Sequence, residues 1–201
     1  MTGISSLFKN IAVVLSLLLA AMTGKTLQAG ITTEERYIYY EVSGDTAAEL
    51  RQSINSKTRH FKARFDAVTR WKIKWQFSYI PRQKKCKITE VIIDASIDYT
   101  LPQWSQSAEH PDHHLVQQWE QYSTQLLAHE RRHGALVKAA TLEVERKILT
   151  ADDTAYAPPN CNKLQKLANK RAQKVIEKLE KQHQAFDLQT DHGRNTGATF
   201  P

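Results

Sequence analysis

The chain has 201 residues, a formal net charge of +7, 41% hydrophobic and 24% charged residues, and only two cysteines. That length suits one domain with a core of its own and not obviously two. Two cysteines exclude a disulfide-dense scaffold, and basic residues scattered along the chain argue against a nucleic-acid partner.

Lys9 precedes a mostly apolar run over residues 11–22, and a polar stretch then ends in Leu27-Gln28-Ala29. This is the pattern of a secretory signal peptide over residues 1–29, its apolar run too short to span a bilayer comfortably. No later segment is apolar enough to cross a membrane, so no stable span is expected after cleavage. The mature part, residues 30–201, is expected to be a single exported domain, periplasmic or secreted. Without Lys9 and Lys25 its charge is +5, which leaves room for affinity toward anionic envelope surfaces.

Residues 36–42 (RYIYYEV) are rich in tyrosine and β-branched residues and predict a first strand. Ser43-Gly44-Asp45 breaks it. Asp45 or Thr46 can then cap a helix over residues 47–56, with Leu50 and Ile54 one turn apart. Residues 60–66 are ambiguous. The clearest strand spans residues 67–80, where Trp71, Ile73, Trp75, Phe77 and Tyr79 alternate with Lys72, Lys74, Gln76 and Ser78. Period two predicts one buried and one wet face, which also separates the tryptophans of residues 70–75 from the basic side chains between them. Residues 81–85 read as a basic turn. Residues 86–101 alternate again, Val91, Ile93, Ala95, Ile97 and Tyr99 against Glu90, Asp94, Ser96 and Asp98, with Ile92 the exception. The two strands predict a hairpin with a shared apolar face.

Residues 102–112 read as a loop, with His110, His113 and His114 near its end as exposed histidines at a helix start. A long helix is predicted over residues 117–149. Residues 150–160, with Pro158-Pro159, end it. A second helix follows over residues 161–184, its stripe running Leu164, Ala168, Ala172, Val175, Leu179 and His183, with Phe186 just beyond. The tail, residues 187–201, has no periodicity, and composition alone reads it as disordered. The sum is an α+β fold, a small antiparallel sheet packed against two long helices. Cys86 and Cys161 most simply pair with each other in an exported chain.

The chemistry sits in the long helix, at His129-Glu130-Arg131-Arg132-His133. Positions i and i+4 share a helix face, so the two imidazoles can point at one metal ion with Glu130 beside them, the H-E-x-x-H arrangement of a zincin active-site helix. Trp119, Tyr122, Leu126, His129, His133, Val137, Ala140 and Val144 follow at steps of three or four, so both histidines continue an apolar stripe and need partners where they are buried. Catalytic zinc needs a third protein ligand. Spacing leaves it open among Glu143, Glu145, His183 and His192. The two glutamates lie ten and twelve residues past His133, about 15–18 Å along a helix, and reach an ion only if the helix breaks near Gly134.

The chain resembles a bacterial family of predicted secreted or periplasmic zinc-dependent proteases, known mainly as a domain of unknown function. The resemblance is carried by RYIYYEVSGDTAAELR, TRWKIKWQFSY, the cysteine of KKCKITEV, LPQW, QWEQYSTQLLAHERRH and the closing FDLQTDHGRNTGATFP. It implies that H-E-x-x-H falls on His129, Glu130 and His133, and a closing D-x-x-T-x-H-G signature on Asp187, Thr190, His192 and Gly193. It favours His192 as third ligand and suggests that the tail is ordered.

The expected function is an exported zinc-dependent metalloprotease acting on a peptide or protein. His129, His133 and His192 would hold Zn²⁺, Glu130 would serve as general base, and Asp187 or Asp191 would hold the far nitrogen of a ligand histidine. The alternatives are a zinc-stabilised envelope module that binds a partner without hydrolysis, and a zinc amidase acting on cell-wall peptides.

Overall fold

Alternating side chains and one long apolar stripe per helix dictate most of the architecture. A computed structural model describes residues 28–60, 65–82, 85–106, 112–151 and 161–201. Most of the expected leader, residues 83–84 of the expected basic turn, His110 and the Pro158-Pro159 segment lie outside the described residues. The elements run β1 (Gln28–Val42), α1 (Ala47–His60), β2 (Val68–Arg82), β3 (Lys85–Trp104), α2 (His113–Leu149), α3 (Asn162–Thr190) and a 3-10 turn (Arg194–Thr196). The fold is α+β.

β2 and β3 form the expected antiparallel hairpin, with Trp71 opposite Ile97 and Trp75 opposite Ile93. The buried face of β3 carries Val91, Ile93, Ala95, Ile97, Tyr99 and Leu101, and Ile92 faces outward. The sheet is mixed, however, rather than antiparallel throughout: its order is β1-β3-β2, and β1 runs parallel to β3. Val42 at the end of β1 pairs with Trp104, while Val68 at the start of β2 pairs with Thr100. The α1 connection therefore leaves and re-enters the sheet at one end. That makes β1 antiparallel to β2, hence parallel to the strand between them.

α1 begins in a capping box. Thr46 Oγ1 accepts from the Glu49 N–H (3.2 Å), and Glu49 Oε2 accepts from the N–H groups of Asp45 (2.8 Å) and Thr46 (3.2 Å). Its Leu50 and Ile54 are buried with Tyr40 and Val42. The long helices pack on the other side, α2 over β3 and α3 toward β2, where Trp75 donates to Asn169 (2.9 Å). Both are longer than periodicity alone suggests. Asp112 caps α2 by accepting from the His114 N–H (3.2 Å), leaving His113 and His114 exposed in its first turn. α3 runs on to Thr190 and so absorbs Asp187.

Two features fix the frame around the site. Gly134 lets Tyr99 touch α2: a Cβ there would lie 1.8 Å from the Tyr99 hydroxyl, which donates to Glu35 (2.6 Å). Glycine serves close approach here, and α2 continues unbroken through it. Cys86 and Cys161 form a disulfide across 75 residues, joining the start of β3 to the residue before α3. No helix among the described residues is long and apolar enough to cross a membrane.

Candidate metal centre

The stripe of α2 buries His129, Glu130 and His133 together. α3 brings Asp187 to them because its own stripe continues past Leu179 in steps of four, through His183 to Asp187. Asp187 Oδ1 lies 2.9 Å from His133 Nε2 and 3.4 Å from His129 Nε2. The donor atoms of these three residues all fall within 4.8 Å of one another. Phe186, one residue earlier, stacks on His129 with ring centroids 4.8 Å apart and meets His133 edge-on at 5.1 Å.

Behind these residues the chain turns sharply. Asp191 (φ 48°), His192 (φ 52°) and Gly193 (φ 87°) form a left-handed run, closed by the His192 N–H donating to the Asp187 carbonyl at 2.7 Å. Two non-glycine residues in this region cost on the order of 1–2 kcal/mol each, so other contacts must hold the turn. Gly193 meets one requirement, since a Cβ on it would come within 2.8 Å of Ala198 and 3.4 Å of His129 Nδ1. Further on, Phe200 packs against Trp119 and Tyr122, and its carbonyl accepts from Arg51 (3.2 Å). Arg51 also forks onto Asp66 (3.0 and 2.7 Å), which accepts from Tyr122 as well (3.0 Å). The tail is thus ordered.

His129, Glu130, His133 and Asp187 line a cleft of about 160 Å³, open on one side, together with Phe65, Ala67, Val68, Thr69, Trp71, His183 and His192. Burial pulls the pKa of both His129 and His133 below the ordinary histidine value, which leaves neutral rings with lone pairs available to a metal. His183 is pushed down to about 4, by burial first and by His133 second. Glu130 goes the other way, raised to about 7 chiefly by burial, against the hydrogen bond from Thr69 Oγ1 to its Oε2 (2.5 Å).

The other expected site residues fall as follows. His192 is at the cleft, but it is exposed, stacks on Phe65 at 4.3 Å, and stands outside the compact donor set. Asp187, expected to hold the far nitrogen of a histidine, instead faces the two Nε2 atoms themselves. Asp191 pairs with Arg194 (3.0 Å) and supports neither histidine. Glu143 is taken by Arg146 (2.6 Å), and neither it nor Glu145, further along the unbroken helix, lines the cleft. His183 contacts His133 through Nδ1 (2.7 Å) rather than joining the set. Thr69 and Trp71 also line the cleft, although their strand pattern marks them only as core-facing.

A family model described as a bacterial protein of unknown function (DUF922) matches residues 37–193. The chain belongs to that family. No curated protein and no solved structure gives a significant match. The DUF922 match runs from β1 to the glycine behind His129, so it takes in His129, Glu130, His133, His183, Asp187 and His192. The family description assigns no activity. Two imidazoles and a carboxylate facing one another in an open cleft nonetheless fit the ligand chemistry of a catalytic zinc ion, which takes three protein donors and keeps a position free.

Proposed function

We propose that the chain is an exported zinc-dependent metallopeptidase, with Zn²⁺ held by His129, His133 and Asp187. The observation that carries this reading is Glu130. It is a buried carboxyl raised to about 7, next in sequence to one ligand candidate and lining the same cleft as all three. A zinc ion bound there supplies Lewis acidity, bringing water toward ionisation near neutral pH and polarising a carbonyl.

The chain's own residues do the rest. Thr69 donates to Oε2 of Glu130 and so orients the carboxyl, leaving Oε1 to accept a proton from the attacking water. Burial raises the proton affinity of this carboxyl, which suits a group that must take that proton and then return it to a departing amine. Ala67, Val68 and Trp71 wall one side of the cleft. They belong to β2 or its approach, and β2 is an edge strand that can hold an extended peptide by strand addition. The disulfide and the leader-like residues 1–29 support a periplasmic or secreted location.

The open cleft speaks against a purely structural zinc site, which would be closed. The test is metal analysis of the purified protein, then digestion of a peptide library and of cell-wall peptides, with and without chelator. Bound zinc, chelator-sensitive cleavage of ordinary peptides and its loss in Glu130→Gln support the reading. Cleavage of cell-wall peptides alone makes the protein an amidase, and a fully active Glu130→Gln protein sinks both.

A further inference from the structure

We propose that His183 is a positioning residue that sets the tautomer of His133, so that binding of a metal ion reverses the hydrogen bond between the two rings. The inference rests on the metal-site reading above and extends it to a residue outside the donor set.

The Nδ1 atoms of His133 and His183 are 2.7 Å apart, across the packed faces of α2 and α3. At that separation one ring donates and the other accepts. The opposite nitrogen of His133, Nε2, is 2.9 Å from Asp187 Oδ1. With no ion present, that nitrogen carries the hydrogen, which the carboxylate accepts. His133 Nδ1 is then a lone pair, and His183 must be the donor. With an ion bound at Nε2, a neutral His133 carries its hydrogen on Nδ1 instead. His183 Nδ1 then becomes the acceptor, and the hydrogen of His183 moves to its Nε2.

The proton balance closes within the pair. Each ring holds one hydrogen before and one after, so the pair releases none on binding. The surroundings suit this role. His183 stacks on Trp71 with centroids 5.6 Å apart, which fixes its ring plane. Its Nε2 is buried and has no hydrogen-bond partner among the described residues, so no neighbour commits that nitrogen to either state.

The test is ¹⁵N NMR of the histidine rings of the purified protein during titration with zinc, together with zinc affinity by chelator competition for wild type, His183→Phe and His183→Asn. In the free protein His133 should show a protonated Nε2 and an unprotonated Nδ1. With zinc, His133 Nδ1 and His183 Nε2 should become the protonated atoms. His183→Phe keeps a ring against Trp71 but offers no acceptor, and it should lose 10- to 100-fold in affinity. His183→Asn places an acceptor oxygen near the position of Nδ1 and should recover most of that loss. Zinc bound directly by His183, an unchanged His133 tautomer, or equal affinity in His183→Phe would overturn the proposal while leaving the metal site in place. A wild type that binds no zinc overturns both. Where His183→Phe fails to fold, the wild-type ¹⁵N spectra decide alone.

Discussion

Oδ1 of Asp187 stands 2.9 Å from Nε2 of His133, so a carboxylate from the last turn of α3 joins the two imidazoles in one compact donor group. His192, five residues on, is exposed at the cleft mouth and stacked on Phe65. Asp187→Ala should therefore lower zinc affinity about 100-fold or more, and His192→Ala less than about tenfold. Chelator competition on the purified variants gives the order directly. The reverse order would place the imidazole in the ligand set.

Glu130→Gln should retain zinc and lose about 10²- to 10⁴-fold in hydrolysis. It should also change metal-free stability in a pH-dependent way. The folded carboxyl at about 7 lies above its ordinary 4.5, so the folded state keeps a proton that the unfolded chain has lost between those values. Stability consequently falls as pH rises from 4.5 to 7. The amide removes that penalty while still accepting from Thr69. The metal-free variant should exceed wild type by on the order of 2 kcal/mol at pH 8 and match it near pH 4, as measured by urea unfolding.

The histidines carry the opposite sign. His129, His133 and His183 are all held below 6.5 by burial, so the unfolded chain takes up protons first as pH falls. Their contribution is intact above 6.5 and is lost as pH falls toward about 4, the value for His183. In the Glu130→Gln background the metal-free melting temperature should therefore drop by several degrees between pH 7 and pH 4.5. Adding His183→Asn should make that drop smaller. An unchanged pH profile on adding it would mean that His183 is not buried as a neutral ring.

Gly134→Ala should destabilise by about 2–4 kcal/mol, despite the better helix propensity of alanine. The new methyl meets the Tyr99 hydroxyl, which is buried and cannot swing aside without breaking its bond to Glu35. Combining it with Tyr99→Phe should recover part of the loss, because the nearest clashing atom is gone. Thermal unfolding of the two single variants and the double variant measures the coupling.

Much of this was legible in the sequence because periodicity reports burial. The alternation of residues 71–79 and 91–99 gave the hairpin, and the apolar stripe placed His129 and His133 on one buried face. Strand direction was not legible, since β1 has similar side chains whether it runs parallel or antiparallel to β3. Composition places Asp187 in the tail and so hides it as a ligand candidate. Yet it lies four residues after His183, in phase with the stripe, and a carboxylate in that phase was the available signal. The left-handed turn at Asp191 and His192 left no local trace beyond Gly193, because the contacts of Phe200 and Arg51 that hold the tail come from far along the chain.

The disulfide lies at the opposite end of α3 from Asp187, 26 residues or about 39 Å of helix away, and neither cysteine lines the cleft. Thiol reagents and chelators therefore address separate parts of the molecule. Reductant removes a cross-link worth roughly 4 kcal/mol for a loop of this size, yet it leaves His129, His133 and Asp187 chemically untouched. Each reagent can then serve as an internal control for the other. A loss of function under reductant that zinc does not reverse would report on folding, and one under chelator that zinc does reverse would report on chemistry.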